Sequence, residues 1–214
     1  MNPYKVVHDF EKALCEYTGA RYAVTTNSCT MAILLALKWH LQDISMVPMR
    51  DEFGVPCIDR THINTPSRTY ISVPQSIIHA GGWPNFIDFE WKGSYKLHPL
   101  PVYDSARRFT SGMYEANTFE CVSFHASKIL GDTQGGAILH DNPEADKWFR
   151  RARFDGRSEG VAPKDDHFDM IGYHCYMSPD VATRLLLKLS VLPKYNDDLP
   201  NDDYPDLSKL EIFK

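Results

Sequence analysis

The run Met31-Ala32-Ile33-Leu34-Leu35-Ala36-Leu37-Lys38-Trp39 constrains the fold more than any other feature, because it is apolar nearly all round a helix. Such a helix has no solvent face and must be buried between other elements. Those elements are legible on either side. Pro3 behind Asn2 marks a helix start, and Val6, Val7, Phe10, Leu14 and Tyr17 then recur at helical spacing until Gly19, giving an amphipathic docking helix. Tyr22-Ala23-Val24-Thr25 reads as a short strand. Beyond an irregular connection from Asp43 to Asp59, broken by Pro48, Gly54 and Pro56, come a strand at Thr61–Asn64, a helix through Ile71, Val73, Ile77, Ile78 and Ala80, and a strand over Trp83–Phe89. This alternation predicts an α/β fold, a mostly parallel sheet flanked by helices.

The second informative stretch is Cys121-Val122-Ser123-Phe124-His125-Ala126-Ser127-Lys128, an apolar segment that delivers a lysine into a polar loop and returns through Gly135-Gly136 into Ala137-Ile138-Leu139. Two readings stand: a solvated loop lysine, or an amine desolvated near a sheet edge whose lowered pKa makes it a Schiff-base nucleophile. Asp104 follows the apolar Leu100-Pro101-Val102-Tyr103, where a carboxylate at the C-terminal end of a parallel strand faces ligands; an N-cap or an ion pair with Arg107 or Arg108 is the alternative. Thr26-Asn27-Ser28 precedes the buried helix, so its N-terminus either is simply capped or presents free amides to a phosphate. Pro143–Arg153 and Asp180–Leu192 read as helices, and the Asn, Asp and Pro of the segment from Pro193 onward read as a disordered tail or an arm packed on a partner.

Composition narrows the function classes. A chain of 214 residues holds one full core, and a net charge of -5 argues against nucleic-acid binding. The five cysteines are widely spaced and lack a CxxC pair, which fits reduced thiols, and no zinc-type cluster emerges. No apolar run approaches the roughly 18 residues of a membrane span and the N-terminus lacks an apolar signal core, so the expectation is a cytoplasmic protein without a membrane partner.

Several segments stand in a familiar order: Phe10-Glu11-Lys12-Ala13 through Gly19 to Val24, Asn27-Ser28-Cys29-Thr30-Met31-Ala32, Thr69-Tyr70, Gly81, Asp88, Asp104-Ser105-Ala106, Ser123 to Lys128, Gly135-Gly136-Ala137-Ile138, Arg153-Phe154-Asp155-Gly156 and Gly172-Tyr173-His174. Together they resemble the DegT/DnrJ/EryC1/StrS sugar-nucleotide aminotransferases, pyridoxal-phosphate enzymes of fold type I. The resemblance implies the aspartate aminotransferase-like large domain over residues 1–192, a much reduced small domain, and an acidic, proline-containing tail over 193–214. It implies that Lys128 holds pyridoxal 5'-phosphate as an internal aldimine and then shuttles the proton, and that Asp104 keeps the ring nitrogen protonated. Ser28, Cys29 and Thr30 would cradle the phosphate with Ser123 adding a hydroxyl, Tyr70 would stack on the ring, and Arg107 would lie beside the ring oxygen. His174 would complete the phosphate site of a neighbouring subunit, so a homodimer with shared active sites is expected.

The activity so implied is transfer of an amino group from an amino acid, glutamate being the expected donor, to a keto sugar linked to a nucleotide. Two alternatives accompany it: a sugar dehydratase, against which the presence of Lys128 argues, and an inert fold type I remnant serving in binding or assembly. The departures from the family pattern are specific. Arg107 replaces a glutamine, His174 an asparagine, Tyr176 an arginine and Gln134 a glutamate, and the short separation of Asp88 from Asp104 omits a strand-helix-strand excursion.

Overall fold

The computed structural model describes residues 4–42, 49–50, 56–57, 61–201 and 203–214. The helix start expected at Pro3 and most of the connection expected between Asp43 and Asp59 lie outside these residues. In chain order the elements are α1 (Lys5–Thr18), β1 (Tyr22–Thr26), α2 (Cys29–Leu41), β2 (Met49–Arg50), β3 (Pro56–Cys57), β4 (His62–Pro66), α3 (Ser72–Ala80), β5 (Trp83–Ile87), β6 (Tyr95–Lys96), β7 (Val102–Asp104), β8 (Phe119–Ser123), β9 (Gly136–His140), α4 (Pro143–Ala152) and α5 (Pro179–Ser190). Short 3-10 turns occupy Pro163–Asp165, Leu207–Lys209 and Glu211–Phe213.

The central sheet runs β1-β9-β8-β7-β6. Period-two alternation sorts its side chains onto two covered faces. Val24, Cys121 and Ile138 join the core formed with α2, α3 and α4, whereas Ala23, Val122, Ala137 and Leu139 join the core formed with α1 and α5. This three-layer arrangement explains the apolar character of α2, whose residues Ala32 to Leu37 are all buried. On the opposite face, Val7, Phe10 and Leu14 of α1 pack with Val181, Leu185 and Leu189 of α5. Gly19, at φ +84°, ends α1 with its N–H on Cys15 O.

The α/β class is as expected, but the sheet is mixed rather than mostly parallel. β7 and β8 are parallel, as are β4 and β5 in a separate pair, whereas β9 lies antiparallel to both β8 and β1, and β6 antiparallel to β7. The reason is connection length: β8 returns to β9 through the lysine loop and β6 to β7 through a hairpin, neither long enough for a crossover. Since β1, β8 and β7 share one direction, their C-terminal ends meet at one edge and bring Ser28, Ser123 and Asp104 together.

A buried ionic knot supports the sheet from below. Glu11 of α1 accepts from Arg153 and, at 2.8 Å, from Arg150, and its Oε1 takes the Thr25 N–H at 2.9 Å. Although burial opposes ionisation, the Arg153 and Arg150 guanidiniums and His8 hold Glu11 well below the usual carboxylate range.

The segment after Pro193 packs on its own chain, which corrects the expectation of a disordered tail. Tyr17 donates to Pro193 O at 2.6 Å, Asp198 takes a forked pair from Arg108 (2.7 and 3.1 Å), and the Leu207 N–H bonds Ser67 O at 2.8 Å. Leu207 and Phe213 are buried, the latter against Phe86. A polar composition suffices here because already ordered groups supply most of the anchors.

Candidate active site

A cavity of about 530 Å³ opens at the sheet edge where β1, β7 and β8 end. Its floor is the N-terminus of α2. Ser28, extended at φ -163°, caps the helix by accepting from Met31 N at 3.3 Å, and Cys29 and Thr30 face the cavity behind it. Gly136 allows this approach, since a Cβ there would stand 2.5 Å from Cys29 N. Unsatisfied first-turn amides and the positive helix end make this floor suited to an anion. Thr30 Oγ1 meets Ser72 Oγ at 2.9 Å, and Ser123 lines the adjoining wall, its hydroxyl accepting from His125 N at 3.4 Å.

Asp104 closes the inner end. Its buried carboxylate accepts from Tyr95 Oη at 2.7 Å and from Ala106 N at 2.9 Å. Burial pushes its pKa up, opposed by those two hydrogen bonds and by the charges of Lys128 and Arg107. Lys128 is half-buried in the loop between β8 and β9, near enough to Asp104 and Cys29 to bias the ionisation of both.

The loop around Lys128 is closed by backbone bonds, Lys128 N to His125 O and Asp132 N to Phe124 O, both 2.9 Å. Gly131 is demanded at the turn, because a Cβ would lie 2.7 Å from Ala126 O and 2.8 Å from Lys128 O. Asp132 then ties the loop to α5 through Arg184 and Lys188, each at 2.8 Å. The Arg184 hydrogen bond, followed by that of Lys188, holds the Asp132 carboxyl well below its usual range. This anchor is not visible in sequence; Arg184 and Lys188 sit one turn apart on a helix, a spacing that usually marks a solvated face.

The structure gathers Ser28, Cys29, Thr30, Tyr70, Asp104, Arg107, Ser123 and Lys128 around one cavity. Tyr70 stands at the mouth, 57% exposed. Arg107 is buried, donating to Pro200 O and, at 3.3 Å, to Tyr204 Oη, with its guanidinium 5.7 Å from the Tyr204 ring centre. His174 does not reach the cavity of its own chain; its side chain is 71% exposed and bonded to Asp155 at 2.9 Å. Tyr95, Trp91 and Tyr204 are site residues that sequence reasoning missed. Trp91 and Tyr204 line the cavity directly, and Trp91 packs edge-on to Tyr95 at 4.5 Å. Among the described residues, no group of three or more His, Cys, Asp or Glu could hold a metal ion, and no helix is long and apolar enough to cross a membrane.

A cavity at the C-terminal strand edge with an anion floor, an inner acid and a lysine on the loop after β8, carried on this three-layer sheet, defines the class: the fold of type I pyridoxal-phosphate-dependent transferases. The model of the DegT/DnrJ/EryC1/StrS aminotransferase family matches residues 1–113 and 102–198, and the chain belongs to that family. It is 24% identical over 228 aligned positions to a UDP-4-amino-4,6-dideoxy-N-acetyl-beta-L-altrosamine transaminase of Campylobacter jejuni, covering 85% of this chain and 55% of the relative. The Bacillus subtilis spore coat polysaccharide biosynthesis protein SpsC is 34% identical over 96 residues, 45% of this chain and 21% of the relative. Among solved structures, Helicobacter pylori PseC, an aminotransferase involved in pseudoaminic acid biosynthesis, superposes with a TM-score of 0.68 at 19% identity, over 88% of this chain and 58% of its own. DesV of S. venezuelae gives 0.64 at 17% identity, over 87% and 57%. The chain thus spans little more than half the length of the Campylobacter jejuni transaminase and of PseC.

Proposed function

We propose that the chain is a pyridoxal-phosphate-dependent aminotransferase that moves an amino group from an amino acid, glutamate being the expected donor, to a keto sugar carried on a nucleotide. The observation that carries the reading is the convergence of Lys128, Asp104 and the α2 N-terminus on one cavity. The donor set fits the coenzyme. Cys29 and Thr30 amides with the Ser28 and Ser123 hydroxyls would hold its phosphate, and the buried Asp104 would hold its ring nitrogen. When bound, the coenzyme supplies an electron sink for the carbon that loses or gains a proton. Lys128 would supply the amine that holds the coenzyme and would carry the proton that moves during turnover. Its loop, fixed to α5 through Asp132, keeps that amine on one side of the cavity. Tyr70 at the mouth would cover the ring face.

A homodimer with shared sites accompanies this reading. His174 lies outside the lining of its own cavity and is exposed, as a residue lent to a partner's phosphate would be. A cytoplasmic setting, where glutamate and nucleotide sugars meet, also belongs to the proposal.

The test is spectroscopic. Purified protein given pyridoxal phosphate is expected to develop a visible band that borohydride fixes covalently on the peptide containing Lys128, and Lys128→Ala is expected to lack it. Glutamate should then convert the band to that of the pyridoxamine form. A band unaffected by Lys128→Ala would refute the attachment site. An attached coenzyme inert to every amino donor would leave a binding protein in place of the transaminase.

A further inference from the structure

Asp104 is gripped through both oxygens, and the two grips differ in kind. Ala106 N is backbone, fixed by the turn that follows β7, whereas Tyr95 Oη reaches across from β6, where Tyr95 stands in register opposite Asp104. The phenol has its own support: Thr69 Oγ1 lies 2.5 Å from Tyr95 Oη, and the Trp91 ring meets the Tyr95 ring edge-on. Proton counting gives this chain a direction. An ionised Asp104 can only accept, so the single phenolic proton of Tyr95 goes to it, and Thr69 must donate its own hydroxyl proton to the phenol. Thr69, Tyr95 and Asp104 are all buried, where directed hydrogen bonds are strong and unpaired ones costly.

We propose that Tyr95, backed by Thr69, is the positioning residue that keeps Asp104 ionised and aimed at the ring nitrogen of the bound coenzyme. The inference rests on the reading of the cavity as a coenzyme site and extends it to a residue contributed by the short strand that precedes β7. The surrounding groups agree. Burial and then the charge of Asp104 push the Tyr95 hydroxyl far above its ordinary range, so it remains a donor throughout the working pH range. Lys128 and Arg107 favour the Asp104 anion from the cavity side, and the Cys29 and Cys121 thiols, raised chiefly by burial, face it neutral. Without the Tyr95 hydroxyl, burial would go less opposed and Asp104 would take up a proton at higher pH.

The experiment measures equilibrium binding of two ligands, pyridoxal 5'-phosphate and its 1-deaza analogue, in which carbon replaces the ring nitrogen. In Tyr95→Phe the dissociation constant for pyridoxal phosphate is expected to rise about tenfold at pH 7.5, the loss of one charge-assisted hydrogen bond. The constant for the deaza analogue should change less than about twofold, since that ligand offers Asp104 no nitrogen. The pyridoxal phosphate loss should grow on acidification from pH 8 to 6. Thr69→Val, which leaves the phenol in place, should show the same discrimination at about threefold, and it decides the matter if Tyr95→Phe does not fold. Equal losses for both ligands would assign Tyr95 a merely structural role, and no loss for either would overturn the inference outright. If the unaltered protein bound neither ligand, the coenzyme reading itself would fall, and this inference with it.

Discussion

Acid should destabilise this protein through His140. The residue closes β9 and is fully buried, stacked on Phe119 at 5.6 Å and on Tyr22 at 5.5 Å, with Phe149 edge-on at 5.3 Å. The nearest acid, Asp146, stays 3.8 Å from Nε2, too far for a hydrogen bond. Burial therefore lowers the pKa of His140 from 6.5 to about 4. A histidine that must stay neutral in the fold but protonates in the unfolded chain takes stability away as pH falls through 6.5, and the loss is complete near the folded value. From pH 7.5 to 5 the difference withdraws about 2 kcal/mol. His40, also lowered by burial, adds to the loss, whereas His8, raised by Glu11 and Glu159, contributes stability that is present in acid and lost as pH rises. Glu11 enters only below the ordinary glutamate value of 4.5, whereas Asp104 and Glu120, both raised by burial, take up protons in the fold before they do in the unfolded chain and so offset part of the loss as pH falls, which is why His140→Phe is compared with the parent over the same window. Urea unfolding of the coenzyme-free protein at both pH values is the assay. His140→Phe preserves the ring cluster and should flatten the pH dependence to under about 1 kcal/mol. If the variant kept the full pH dependence of the parent, burial of His140 would not be its source.

Two further perturbations separate the halves of the cavity. Gly136→Ala would set a methyl group against the Cys29 amide and force α2 away from β9, costing about 1–3 kcal/mol in urea unfolding and weakening pyridoxal phosphate binding by more than about tenfold. Retained affinity would show that the α2 amides do not hold the phosphate. Leu207→Asp would place an unpaired carboxylate in the buried anchor of the arm, and hydrogen exchange over residues 194–213 should accelerate by about tenfold or more while coenzyme affinity changes little. Unchanged exchange would mean that the anchor does not hold the arm.

What the sequence made legible follows from how many residues state each feature. Along α2 the unbroken apolar run had only one explanation, and the strands around it were bounded by glycine and proline. The convergence of Ser28, Asp104 and Ser123 was partly legible because each sits at or next to the end of a recognisable element and parallel strands carry their ends to one edge, whereas Lys128 lies within the loop beyond β8 and its reading as more than a solvated lysine came from the family resemblance. β6 was not legible, since two residues show no period, and with it Tyr95 was lost. The arm was misread for a physical reason: its order comes from Leu207, Phe213 and the Arg108–Asp198 pair, anchors too sparse to register in composition. Arg107 lines the cavity, yet its tie to Pro200 and Tyr204 depends on a segment some ninety residues away and could not be read from its neighbours.

That tie bears on how the two sides of the cavity are built. The amide floor, Asp104 and the lysine loop all rest on the sheet, α2 and α5, so that half of the cavity is fixed by the main core. On the other side, Tyr204 lines the cavity from the arm, and Asn201 bonds the backbone of Trp91 at 2.8 Å. Arg107 is the residue shared by the two halves: its backbone follows Asp104 in the turn after β7, and its side chain holds the arm. A substitution at Arg107 would therefore disturb both at once, whereas one at Tyr204 would change the arm side of the cavity and leave the α2 floor intact. On the proposed reading, variation in the arm would alter the acceptor side of the cavity without altering the floor that would hold the coenzyme.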